Sequence, residues 1–109
     1  MSTQLFHYEI DKQGRPEARP IGNAHADLAK FLTEEASWTD YVDLLLDCAA
    51  AAKQTGKPQV NTGNAYAVTA GKDSVLIEHL HLKHRATVAA PLFHQALNEW
   101  RAFLVKTSP

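Results

Sequence analysis

The chain has 109 residues, of which 45% are hydrophobic and 21% charged, with a formal net charge of −1. That length predicts a single domain over residues 1–109 with a core that needs no staples, and the composition excludes a disordered chain. No apolar run approaches the roughly 20 residues of a bilayer-spanning helix, the lone Cys48 cannot close an internal disulfide, and the near-neutral balance argues against a general nucleic-acid binder.

Met1 to Gln4 carries neither a basic segment nor a long apolar run, which with the lone cysteine predicts a cytoplasmic protein. Phe6, Tyr8 and Ile10 alternate with His7 and Glu9, the period of a half-buried strand over 3–10. Asp11 to Gly14 reads as a turn. Arg15 to Pro20 returns as a strand that Pro16 and Pro20 confine to a sheet edge, because proline cannot donate to the ladder. Asn23 is placed to cap a helix from about His25 to Ala36, whose apolar stripe is Ala24, Leu28, Phe31 and Leu32.

Ser37 is placed to cap a second helix running to about Gln54. Ser37-Trp38-Thr39-Asp40 has the form of a capping box with Asp in place of Glu. At about 100° per residue, Trp38, Tyr41, Val42, Leu45, Cys48, Ala49 and Ala52 share the side expected to be buried. Asp40, Asp43 and Asp47 lie nearly opposite, and Leu44 and Leu46 flank them. Gly56 and Pro58 stop the helix.

Val60 to Thr62 reads as a short strand, with Gly63-Asn64 as its turn. Ala65–Ala70 and Ser74–Leu80 then form a hairpin about Gly71-Lys72-Asp73. A last helix spans roughly Ala90 to Val105, with Leu92, Phe93, Ala96, Leu97, Trp100, Phe103 and Leu104 as a broad stripe and Pro91 in its first turn. The spacing of Trp38 and Trp100 among apolar residues places both in the core. The order ββ-αα-βββ-α predicts an α+β domain, a small antiparallel sheet of about four to five strands covered by three helices.

The charge is unevenly placed. Between Lys30 and Lys53 stand Glu34, Glu35, Asp40, Asp43 and Asp47 and no basic residue, so this block carries −5 in a chain of −1. Like charges at helical spacing cost roughly 0.2–0.5 kcal/mol per pair. The interior Asp43 and Asp47 gain little from the helix dipole. Such a face is useful against a basic partner, and Glu34, Glu35, Asp40, Asp43 and Asp47 become the candidate contact residues, with Leu44 as an apolar centre.

His79, His81 and His84 form H-x-H-x-x-H, and three imidazoles can hold zinc with a fourth position open. The spacing is similar to the H-x-H-x-D-H of metallo-β-lactamase-type hydrolases. Lys83 stands where that motif has Asp, and the chain is too short for that fold. A small metal-binding or hydrolytic protein on these histidines is the alternative to a binding function; the main reading needs no metal or other cofactor. Cys48 among alanines reads as a small hydrophobe. No nucleotide-binding or nucleophile-elbow motif occurs. Lys72, Lys83, His84 and Arg85 lack the interleaved aromatics of an RNA-stacking platform.

The acidic helix Ser37 to Ala52, the short strands about Gly63-Asn64-Ala65-Tyr66 and the closing Phe93-x-x-Ala96-Leu97-x-x-Trp100-x-x-Phe103 helix give a plan that resembles the immunity proteins of bacterial toxin–immunity systems, those of contact-dependent growth inhibition in particular. The resemblance implies a non-enzymatic protein bound one-to-one to a cognate toxin domain, commonly a nuclease with a basic cleft. It implies no direct contact with nucleic acid or membrane.

Overall fold

A two-stranded ribbon opens the fold. In the computed structural model, which describes residues 4–22 and 24–107, β1 (Phe6–Ile10) pairs antiparallel with β2 (Pro16–Pro20), Tyr8 facing Ala18 in the register. The Asp11 carboxylate closes the turn by accepting the N–H groups of Gln13 and Arg15, and Gly14 adopts φ +80°, a conformation that glycine reaches without strain. Both prolines sit at the ends of β2, as an edge strand requires.

Helix α1 (Ala26–Glu35) buries Leu28, Ala29, Phe31 and Leu32. Thr33 ties it to the ribbon: its hydroxyl accepts the Ala18 N–H at 2.9 Å and lies within donating reach of the Ala18 and Ala29 carbonyls. His25 occupies the N-cap with φ 56° and no side-chain capping bond, and the expected cap Asn23 lies outside the described residues.

Helix α2 (Thr39–Thr55) stops at Gly56, whose φ of 74° lets its N–H close on the Ala52 carbonyl. The expected capping box does not form. Trp38 is the N-cap, without a capping side chain, and the Ser37 hydroxyl turns back to the Thr33 carbonyl.

Four antiparallel strands follow as a meander, β3 (Gln59–Thr62), β4 (Tyr66–Ala70), β5 (Ser74–His79) and β6 (His84–Ala89), in the order β3-β4-β5-β6. Tyr66, Val68, Ala70, Val75, Ile77 and Val88 form the buried face. Helix α3 (Ala90–Thr107) buries Phe93, Ala96, Leu97, Trp100 and Leu104, the stripe expected from its spacing. Trp100 is fully buried and donates its indole N–H to the Ala36 carbonyl at 2.6 Å, joining α3 to the link between α1 and α2.

The α+β class and the order ββ-αα-βββ-α stand, with β6 as a further strand and the first two strands in a ribbon of their own. β5 ends at His79, and Leu80 and Leu82 are exposed in the connection to β6. One apolar expectation fails. Trp38 is 75% exposed: its extended N-cap backbone (φ −118°, ψ 135°) takes it out of the helical repeat that would have placed it inside.

Candidate functional site

The acidic block divides at Ser37 into two sets of carboxylates. On the near side, Glu34 and Glu35 end α1 against the sheet. Glu34 accepts the Tyr66 hydroxyl at 2.7 Å, and burial together with this bond pushes the Tyr66 phenol well up from its usual range. Glu35 accepts the Asn64 N–H at 3.0 Å on one oxygen and the Ala65 N–H at 2.8 Å on the other. It thereby supplies acceptors to the β3–β4 turn, whose backbone donors would otherwise need water. Gly63 permits this approach: a Cβ there would stand 2.9 Å from the Glu35 carboxylate. Beside it the Tyr41 hydroxyl is buried without a hydrogen-bond partner among the described residues, and burial and then the Glu35 charge push its pKa up to about 12.

On the far side, α2 carries the aspartates. Asp43 meets Arg101 of α3 at 2.5 and 3.3 Å, a two-point contact between half-exposed side chains. The guanidinium holds the Asp43 carboxyl below its ordinary value. Asp40 and Asp47 are exposed, and neither forms an ion pair within 4 Å among the described residues. Leu44, 44% exposed, stands between them. The spacing i, i+4, i+7 puts Asp40, Leu44 and Asp47 on one ridge of the helix. Leu46 is half-buried against the core.

Among the described residues, Asp43 alone of the five carboxylates meets a cationic side chain; Glu34 and Glu35 are tied by neutral donors. The six residues named from the sequence are thus brought to one region but not to one task. Glu34 and Glu35 join α1 to the sheet, Asp43 joins α2 to α3, and Asp40, Leu44 and Asp47 face solvent. Trp38 stands two residues before this ridge, at the N-cap. Its exposure is hidden by the helical spacing, and no local signal reveals it, because tryptophan is not a preferred N-cap residue.

The histidines take other roles. The His79 ring lies 4.8 Å from that of Tyr66, edge to face, and its Nδ1 accepts the His81 and Leu82 N–H groups at 3.1 and 3.2 Å. His84 is bonded to Asp27 of α1. Among the described residues no group of three or more His, Cys, Asp or Glu side chains is placed to hold a metal ion. No described helix is long and apolar enough to cross a membrane.

Comparison with protein-family models, curated proteins and solved structures finds no match for this chain.

Proposed function

We propose that this chain is a non-enzymatic binding protein that covers a basic surface of a partner protein with the outer ridge of α2, in the manner of an immunity protein occluding the cleft of a toxin nuclease. The single observation that supports this reading is the ridge Asp40–Leu44–Asp47, two exposed aspartates that form no ion pair among the described residues, on either side of an exposed leucine. A fold that has already spent Arg101 on Asp43 leaves these two charges for an outside cation. Glu34 and Glu35 add field but are held to internal donors, so they contribute to attraction rather than to contact.

Such a face accelerates association with a positive cleft and loses that advantage as salt rises. The test is the affinity of a double Asp40→Lys, Asp47→Lys variant for the cognate toxin domain, sought as the product of the adjoining gene, by titration calorimetry at low and high salt. We expect the dissociation constant to rise by about tenfold or more at low salt. Unchanged binding removes the ridge from the interface.

A further inference from the structure

Leu80 to Lys83 carry the chain from β5 to β6, and His79 and His84 face each other in register across the base of that turn. The Leu80 N–H donates to the Ala65 carbonyl at 2.8 Å, and Lys83 turns the chain back with φ 49°. The two amides between them, those of His81 and Leu82, donate to one atom, the Nδ1 of His79, at 3.1 and 3.2 Å. The imidazole takes the part that a side-chain oxygen plays in an Asx turn. A ring nitrogen accepts only through its lone pair, so this ring is neutral and carries its proton on Nε2. His84 makes the opposite demand. Its Nε2 meets the Asp27 carboxylate of α1, a bond that a neutral ring can donate and that an imidazolium strengthens. Two histidines at the base of one turn therefore answer acid differently.

We propose that the β5–β6 turn is released by acid: a proton taken up at His79 Nδ1 frees the His81 and Leu82 amides and opens the segment from His81 to Lys83, while Leu80 on Ala65 and His84 on Asp27 hold the base of the hairpin in place. The groups around the ring come from four elements. On β4 the Tyr66 ring lies 4.8 Å away, edge to face, with its hydroxyl on Glu34 of α1. In the turn the His81 ring lies at 5.9 Å, and Lys83 follows it. On β6 stand His84, bonded to Asp27, and Arg85, in register with Glu78. Glu34 and Asp27 favour a cation at His79, while Lys83, and His81 and His84 once charged, oppose it. The field is of mixed sign, and the lone pair is the element specific to this turn. Leu82, 61% exposed, rides on the released segment next to the fixed Leu80, 46% exposed, so an apolar pair is set near neutral pH and parted in acid. This inference is independent of the ridge on α2, and either stands if the other fails.

The experiment is amide exchange in the full chain, read residue by residue by NMR from about pH 5 to about pH 7.5, a span that brackets the ordinary histidine value of about 6.5. Each rate is corrected for the intrinsic pH dependence of its amide, and the ring nitrogen shifts of His79 follow proton uptake in the same sample. The His81 and Leu82 amides should lose protection by about tenfold on the acid side, whereas Leu80, whose acceptor is a carbonyl, should not. His79→Asn offers the same amides a carboxamide oxygen that takes no proton in this range. His79→Phe offers them nothing. The acid-dependent change should vanish in both variants, with protection kept across the range in the first and missing at both ends in the second. A His79 ring that stays neutral at about pH 5, amides that remain protected once that ring is charged, or an acid loss that survives in His79→Asn overturns the proposal.

Discussion

One residue, Ser37, separates Ala36 from Trp38, and it separates two kinds of surface. Before Ser37, the end of α1 is tied into the fold: Glu34 by Tyr66, Glu35 by the β3–β4 turn, the Ala36 carbonyl by Trp100. After it, Trp38, Asp40, Leu44 and Asp47 are exposed, and neither aspartate finds an ion-pair partner among the described residues. The same residue types in one sequence block therefore do opposite things. The first set holds the fold together, while the second is left to solvent.

The two tryptophans give the widest separation. Trp100→Ala removes a fully buried ring that touches Tyr8 and Phe103 and leaves the Ala36 carbonyl without its donor. Urea unfolding should show a loss of about 3–5 kcal/mol. Trp38→Ala should stay within about 0.5 kcal/mol by the same measurement. A large loss at Trp38 would mean that the ring matters to the fold, and the division at Ser37 would fail.

Glu35 tests the near side at finer grain. Glu35→Ala strips the acceptors from Asn64 and Ala65 and should cost about 1–3 kcal/mol. Gly63→Ala should also destabilise, because its new Cβ would stand 2.9 Å from a carboxylate that two hydrogen bonds hold in place. In a Glu35→Ala background that obstacle is gone. A double-mutant cycle should therefore return a coupling of about 0.5 kcal/mol or more; strict additivity would show that the carboxylate moves aside freely.

Two buried phenols beside these glutamates should respond with opposite sign. Tyr66→Phe breaks the bond to Glu34 and should cost about 1 kcal/mol. Tyr41→Phe deletes a hydroxyl that has no partner, and should be neutral or stabilising at pH 7. The Tyr41 pKa is about 12 in the fold, above its ordinary value of 10. A folded pKa above the unfolded one means that the neutral phenol's contribution is whole below pH 10 and is lost as pH rises through about 12. Chemical denaturation at pH 9 and 11 should thus show a smaller alkaline loss in Tyr41→Phe than in the parent.

Most of this scaffold could be read from periodicity. The α3 stripe, the alternation of β1, β4 and β5 and the stop at Gly56 depend on local spacing, and they lie where spacing places them. What failed depended on one residue of phase or on distant partners. Placing the cap at Ser37 puts Trp38 inside the helical repeat; moving it to Trp38 frees the ring. The β6 strand alternates only weakly in His84-Arg85-Ala86-Thr87-Val88-Ala89, with Val88 as its one fully buried position. The donors to Glu35 lie 29 and 30 residues away, and Arg101 lies 58 residues from Asp43. No local pattern carries such pairs, so a run of acids reads as one face when the fold has divided it.

Asp43 sits on the boundary between the two sets, and its variant should give the smallest effect. Its partner Arg101 is half exposed, so solvent screens the pair, and its removal at neutral pH should change the melting temperature little. The sign appears in acid. A carboxyl held below its ordinary value gives a contribution that is present above about pH 4 and lost as pH falls through its folded pKa. Asp43→Asn should therefore flatten the acid limb of the melting curve between pH 5 and about pH 2. If Asp43→Asn leaves the acid limb unchanged, the Arg101 contact does not hold the carboxylate, and Asp43 returns to the set available for a partner.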